Sequence, residues 1–317
     1  MPNFIDIELI ASSELQSIID QAILRKKNRF DAFSGEKDKD NPLQGLILAM
    51  LFEIPSTRTR VSFDIGIRQL GGSSLIMNSE EMQLGRGESI ADTSRVLSNY
   101  VDIIMLRSLK HRSLEEMTEY SSVPVINGLT DQSHPCQVLA DLMTFIEIRG
   151  SLENKKFVWI GDFNNVTRSW IHAAQKFNFK FIISSPKELI PDSSQIDTLS
   201  KSLENISYIE NSEQAVLDAD CVITDVWMSM SDSASSKEEV SKKEKKLHSL
   251  KPYKVTSALL NNTNDALFMH CLPAHRGQEV DTDVIDGNNS VVWQEAENRL
   301  HVQKAIMLWC LKDKINI

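Results

Sequence analysis

The chain has 317 residues, 41% of them hydrophobic, enough to bury a sizeable core and to divide into two domains of ordinary size. A formal net charge of −10 argues against a nucleic-acid partner, so an anionic ligand would need a locally positive pocket. Cys136, Cys221, Cys271 and Cys310 stand far apart; with no C-x-x-C pair, no secretory leader and no apolar run near the roughly 18 residues of a membrane span, we expect a cytoplasmic protein with reduced thiols and no membrane contact.

Residues 13–16 have the S-x-x-Q form of a capping box, and Leu15, Ile18, Ile19, Ala22 and Ile23 recur at helical spacing, which predicts a first helix. The apolar run 46–54 reads as a strand. Ser56-Thr57-Arg58-Thr59-Arg60 follows it and opens a helix over 61–70. The first amides of a helix lack intrahelical partners and the macrodipole is positive there, so this junction suits a phosphate; an ordinary Ser/Thr N-cap beside solvated arginines is the alternative. Strand-like runs at 74–77, 102–107 and 123–127 come next, with helical patterns at 90–100 and 114–120. A second series of strands, at 157–160, 181–184, 221–226 and 266–271, is again separated by helical stretches. Such alternation predicts an α/β protein of two lobes, each a parallel sheet flanked by helices. The helix 135–149, ended by Gly150 where a left-handed residue is common, marks the join, giving lobes 1–148 and 149–300. A final helix from His301 to about Lys314 is expected to cross back onto the first lobe. Residues 231–246, rich in Ser, Lys and Glu, read as a mobile, solvated excursion that adds nothing to a core.

Polar clusters fall at the C-terminal ends of these strands, where open α/β sheets hold their ligands. They are Arg107, His134-Pro135-Cys136-Gln137, Gly161-Asp162-Phe163-Asn164-Asn165, Asp225-Val226-Trp227-Met228-Ser229-Met230 and His270-Cys271-Leu272-Pro273. Each alone has a structural explanation, as a surface ion pair, a capped loop histidine, an N-cap or a small buried hydrophobe. Their shared topological position points to a site. A dinucleotide is excluded at Gly161, where one glycine stands in place of G-x-G-x-x-G. Zinc on His270, Cys271 and Cys136 lacks paired spacing, and neighbouring side chains on a strand point apart, so neither metal nor cofactor is expected. Nothing in the sequence brings Cys271 and His134 together as nucleophile and base.

With Gln83-Leu84-Gly85-Arg86-Gly87-Glu88-Ser89 and Glu297-Asn298-Arg299 added, these motifs make the chain resemble the ornithine carbamoyltransferases over nearly its whole length, within the aspartate and ornithine carbamoyltransferase superfamily. The Ser-Thr-Arg-Thr-Arg run is specific to the superfamily; Ser229-Met230 after Asp-Val-Trp, and His-Cys-Leu-Pro, resemble the ornithine branch. The resemblance implies two α/β lobes, a homotrimer, no cofactor, and transfer of the carbamoyl group of carbamoyl phosphate to the side-chain amine of L-ornithine. It implies that Ser56, Thr57, Arg58 and Thr59 cradle the phosphate with Arg107, and that Arg107, His134 and Thr59 face the carbonyl oxygen. Gln137 and the carbonyls of Cys271 and Leu272 would receive the carbamoyl NH2, Arg299 would add a contact, and Gln83 would arrive from a neighbouring subunit. Asn165, Ser229 and Met230 would hold the backbone end of ornithine, with Asp225 and Cys271 beside its amines; Arg107, His134, Asp225 and Cys271 form the implied catalytic set.

One departure stands out. The family follows Ser-Met with Gly, whereas here Ser231-Asp232 opens a longer charged stretch, which bears on closure of a lid over ornithine. Two other readings use the same phosphate half: a transcarbamylase for an acylated ornithine or putrescine, and a non-catalytic carbamoyl phosphate or phosphate sensor. Asp225 and Ser229-Met230 suit a free zwitterion and argue against the first, and the intact set from Arg107 to Arg299 argues against the second.

Overall fold

The computed structural model describes residues 1–78, 87–190, 204–228 and 237–315. The chain divides into two compact units, Met1–Met143 with Glu297–Ile317, and Thr144–Ala296.

In the first unit, α1 (Ser12–Lys27) precedes β1 (Ile47–Phe52), α2 (Thr57–Gln69), β2 (Ser73–Asn78), α3 (Ile90–Leu97), β3 (Ile103–Arg107), α4 (His111–Tyr120) and β4 (Val125–Leu129). The strands form one parallel sheet in the order β2-β1-β3-β4. β1 and β3 read as unbroken apolar runs, Ile-Leu-Ala-Met-Leu-Phe and Ile-Ile-Met-Leu, because central parallel strands are covered on both faces. α5 (Pro135–Arg149) then carries the chain into the second unit.

The second unit contains β5 (Lys156–Ile160), α6 (Asn165–Phe177), β6 (Lys180–Ser184), β7 (Ile206–Tyr208), β8 (Cys221–Thr224) and β9 (Leu267–His270). They pair in parallel in the order β7-β6-β5-β8-β9. Phe157 lies 4.6 Å, 5.3 Å and 4.5 Å, ring centroid to centroid, from Phe145, Trp170 and Phe179, which fixes α5 and α6 against this sheet.

The structure corrects several expectations. α1 begins at Ser12 with Ala11 at the cap and no side-chain cap hydrogen bond, so the Ser13–Gln16 capping box does not form. The reciprocal box is built instead at α6, where Asn164 caps Val166 and Thr167 and the Thr167 hydroxyl accepts from the Asn164 amide. α2 starts at Thr57 rather than 61, with Ser56 as its N-cap. The last helix runs over Val292–Cys310, not from His301, because Val292–Leu300 is rich in helix formers that extend it N-terminally. The charged stretch is not an excursion throughout: Lys237–Leu250 is a helix with Leu250 buried, and its Lys246 lies 2.7 Å from Asp162. Glu and Lys are good helix formers, and low hydrophobicity does not prevent a helix anchored at one end. β7 escaped the sequence reading because it is three residues long.

The C-terminal segment of the last helix is locked into the first unit. Gly66 of α2 lets it approach: a Cβ there would lie 3.3 Å from both Lys304 Cγ and Met307 Cε. Lys304, fully buried, donates to Asp38 at 2.8 Å and to Gln69 Oε1 at 2.9 Å. Asp38 also accepts from Arg25 at 3.0 Å and Arg29 at 2.8 Å, so one carboxylate gathers three cations. Desolvation brings the Lys304 pKa down to about 8 even with Asp38 beside it. Removing one member of such a cluster leaves uncompensated buried charge. Asp38→Asn is expected to destabilise the fold by about 3 to 5 kcal/mol, read as a lower urea midpoint; a loss under about 1 kcal/mol on the same scale would contradict the role assigned to this carboxylate.

Candidate active site

In each unit the strand order reverses at one point, and there the loops after adjacent strands diverge and leave a crevice. In the first unit this lies between β1 and β3: Phe52 registers with Arg107, and the Glu53 amide still donates to the Arg107 carbonyl at 2.9 Å. The Ser56 helix start and Arg107 are neighbours for that reason. Ser56 takes an extended backbone, φ −160° and ψ 113°, and its hydroxyl accepts from the Thr59 amide at 3.3 Å. Ser56 and Thr57 also line a cleft of about 460 Å3 with Glu53, Arg60 and Asn78.

Thr59 is fully buried and is the hub of this cluster. Its hydroxyl oxygen accepts from Arg299 Nη2 at 2.8 Å and from Arg107 Nη1 at 3.4 Å. Arg299 Nη1 donates to Gln137 Oε1 at 3.1 Å. Arg299 arrives on the C-terminal helix, whose preceding residue Asn298 accepts from Lys26 at 2.7 Å. His134 sits just before α5, where Pro135 opens the helix. The loop ahead of it is held by Asn127, whose Nδ2 donates to Ile5 O and to Ser133 Oγ, each at 2.9 Å. Burial, then the charges of Arg299, Arg107 and Arg58, push the His134 pKa well below 6.5. The imidazole is therefore neutral at neutral pH and carries one N–H donor. Cys136 turns inward, donates to the Asn127 carbonyl at 3.4 Å, and burial raises its thiol to about 12.

In the second unit the order reverses at β5, between β6 and β8, and the loops after β5, β8 and β9 lie side by side because Thr224 registers with His270. Gly161 ends β5 with φ +119°, and a Cβ there would meet Thr224 Oγ1 and Trp227 Nε1 at 3.3 Å, so this turn requires glycine. Asp225, 8% exposed, accepts from Asn164 Nδ2, from the Val226 amide and from Cys271 Sγ at 2.8, 2.8 and 2.9 Å. Leu272 adopts a left-handed backbone, φ 53°, strained for a branched side chain, and its amide donates to His270 Nδ1 at 2.9 Å. His270 Nε2 lies 3.4 Å from Glu279 Oε1 and the His270 amide donates to Glu295 at 3.0 Å, all three residues being buried.

Thr59, Arg107, His134, Gln137 and Arg299 are thus brought together beside Ser56, Thr57 and Arg58, while Asp225, Cys271 and Leu272 form a second group. Asn165 is the first residue of α6; its neighbour Asn164 is the one that reaches Asp225, and the Asn-x-x-Thr cap pattern was the sequence signal for it. Gln83, Ser229 and Met230 lie outside the described residues. The sequence argument that His270 and Cys271 diverge on a strand fails, because β9 ends at His270: one donor atom each from Asp225, His270 and Cys271 lie within 4.8 Å. Within this trio Cys271 Sγ donates to Asp225 Oδ1, and His270 Nδ1 accepts from the Leu272 amide. Glu279 and Glu295, which orient the His270 loop, were not singled out from sequence; nothing in their spacing marks them.

The neutral His134 fixes a pH dependence. Unfolded imidazoles protonate near 6.5, whereas His134 in the fold does not, so below that value the unfolded chain binds more protons and stability falls. His301, whose pKa burial brings down to about 3, acts in the same direction. The urea midpoint is expected to drop between about pH 7 and about pH 5, and His301→Gln to remove part of that drop; an unchanged slope in the variant would contradict this account.

The chain matches the models of two protein families: aspartate/ornithine carbamoyltransferase, carbamoyl-P binding domain, over residues 2–147, and aspartate/ornithine carbamoyltransferase, Asp/Orn binding domain, over residues 153–310. It is 51% identical to a Rhodopseudomonas palustris (strain BisA53) protein named ornithine carbamoyltransferase, over 97% of this chain and 96% of that one. Among solved structures, ornithine carbamoyltransferase from Pyrococcus furiosus superposes with a TM-score of 0.87 at 41% identity, covering 97% and 96% of the two chains. The Burkholderia thailandensis ornithine carbamoyltransferase gives 0.85 at 39% identity, covering 98% and 99%. No helix among the described residues is long and apolar enough to cross a membrane.

Proposed function

Since the chain belongs to the aspartate/ornithine carbamoyltransferase family, we propose that it transfers the carbamoyl group of carbamoyl phosphate to the side-chain amine of L-ornithine, giving L-citrulline and phosphate. The observation that carries this reading is the cluster at Thr59: two buried guanidinium groups on one hydroxyl, a neutral histidine and the N-terminus of α2. Such a set suits a ligand that has a dianionic phosphate and a carbonyl oxygen that gains charge in the reaction.

In this mechanism the phosphate of the substrate is held by the first-turn amides of α2 with Ser56, Thr57, Arg58, Thr59 and Arg107. Arg107, neutral His134 and Thr59 donate to the carbonyl oxygen, Gln137 and the carbonyls of Cys271 and Leu272 accept from the carbamoyl NH2, and Arg299 contacts carbamoyl phosphate. The neutral amine of ornithine attacks the carbonyl carbon, a C–N bond forms, the C–O bond to phosphate breaks, and the amine's surplus proton leaves on the phosphate. A free amine of this kind titrates near about 10.4, so its neutral form must be favoured or reached as a minor fraction. Asp225 and Cys271, held together by a thiol-to-carboxylate hydrogen bond, supply the polar surface for the ammonium and amine of ornithine, with Asn165, Ser229 and Met230 at its backbone end. The same proposal includes a trimer in which Gln83 serves a neighbouring copy, and a cytoplasmic place in arginine metabolism, in keeping with four free thiols.

Purified protein given carbamoyl phosphate is expected to form citrulline from L-ornithine far faster than it uses N-acetylornithine, N-succinylornithine or putrescine. A preference for any of those three would overturn the amino-acid half of the assignment, and phosphate binding without product would favour a sensor.

Arg58→Gln removes a cation from beside the departing phosphate and is expected to lower turnover by about two to three orders of magnitude with little change in thermal stability. Activity within about threefold of wild type would remove Arg58 from the transition state.

A further inference from the structure

The amide of Gln137 is turned by a carboxylate. Asp141 lies one turn further along α5, is 1% exposed, and accepts from Gln137 Nε2 at 2.8 Å. A guanidinium only donates and an ionised carboxylate only accepts, so the amide has a single orientation, with Oε1 on Arg299 Nη1 and Nε2 on Asp141. Arg299 directs its other terminal nitrogen to Thr59 Oγ1, which Arg107 also approaches. Both lone-pair directions of the Thr59 hydroxyl are then taken, and its own hydrogen points away from the two arginines.

We propose that Asp141 is a positioning residue that fixes the direction of the hydrogen-bond chain Asp141–Gln137–Arg299–Thr59, and thereby makes Thr59 a donor to the carbonyl oxygen of carbamoyl phosphate during transfer. This rests on the carbamoyl-transfer reading. Asp141 acts through Gln137 and Arg299, not on the substrate. If the amide turned over, its NH2 would face Arg299 Nη1, donor against donor; the guanidinium would be pushed from its place, Nη2 would lose Thr59 as its fixed partner, and the hydroxyl would be free to rotate.

A double-mutant cycle at two buried positions tests the direction itself. Gln137→Glu sets two carboxylates against one another and is expected to lower kcat/KM for carbamoyl phosphate by about 100-fold or more. Adding Asp141→Asn restores a donor at position 141, facing the carboxylate introduced at position 137. The other oxygen of that carboxylate accepts from Arg299 as the amide did, and the total charge equals that of the wild type. The double variant is therefore expected to be at least about tenfold more active than Gln137→Glu alone. Additive losses, with the double variant no better than the single, would overturn the proposal. As a second measurement that does not depend on Gln137→Glu folding, Asp141→Ala is expected to lower kcat by about 100-fold, while the inhibition constant of inorganic phosphate stays within about threefold, because the helix amides hold phosphate. Parallel losses in both, or loss of the thermal transition, would assign Asp141 a structural role only and overturn the proposal. A wild-type protein that makes no citrulline would overturn the transfer reading and this proposal with it; wild-type activity with additive variants would overturn this proposal alone.

Discussion

Every pairing between the strands of the two sheets is parallel, and the rest of the structure depends on that constraint. A parallel neighbour is reached only by a return along the sheet, here through a helix in most cases, so within each sheet all strands end on the same edge. Polar residues far apart in sequence are gathered there with no contact of their own to draw them together. Arg107 stands beside the Ser56 helix start because Phe52 and Arg107 share a register, and Asp225 stands beside Cys271 because Thr224 and His270 do.

On that edge the first unit concentrates positive charge in a protein of net charge −10. Arg107 and Arg299 are 8% and 3% exposed, and both donate to Thr59. Burying cations side by side is unfavourable unless something offsets their repulsion and lost hydration. Part of the offset is visible: Gln137 and Thr59 accept hydrogen bonds, and His134 gives up its proton. In the proposed reading the same cost favours a dianion, whose arrival would satisfy groups already held in place. A preorganised site of this kind stores its expense in the fold, and the Asp38 network that anchors the C-terminal helix is where that helix, and so Arg299, obtains its fixed position.

The second unit solves a different problem, that of holding backbone in an unfavourable shape. The left-handed Leu272 is secured by His270, which is flanked by two buried carboxylates, Glu279 and Glu295. Strain of order ~1 to 3 kcal/mol persists only where surrounding bonds over-determine it, and here a fully buried set of polar partners does so. Gly161 and the Asn164 cap act likewise on the turn after β5, and Asn164 Nδ2 donates to the carboxylate of Asp225.

Much of this was legible in the sequence. Unbroken apolar runs of strand length alternating with helical periodicity determine a parallel α/β architecture, and the polar motifs after those runs mark the ligand edge, because both signals are local and repeat along the chain. Boundaries were less legible: the last helix extends N-terminally from His301 through helix formers that carry no apolar period, and the charged Lys237–Leu250 helix is built of Glu and Lys and anchored through Leu250 and the Lys246–Asp162 pair. The sequence by itself determined which residues supply charge, hydroxyls and thiol, and on which strand ends they stand. Only the tertiary structure decided which of them share hydrogen bonds, that His134 is neutral, that Asp141 turns Gln137, and that Glu279 and Glu295 back the His270 loop. Protonation state and hydrogen-bond direction depend on burial and on partners distant in sequence, and those exist only once the chain has folded.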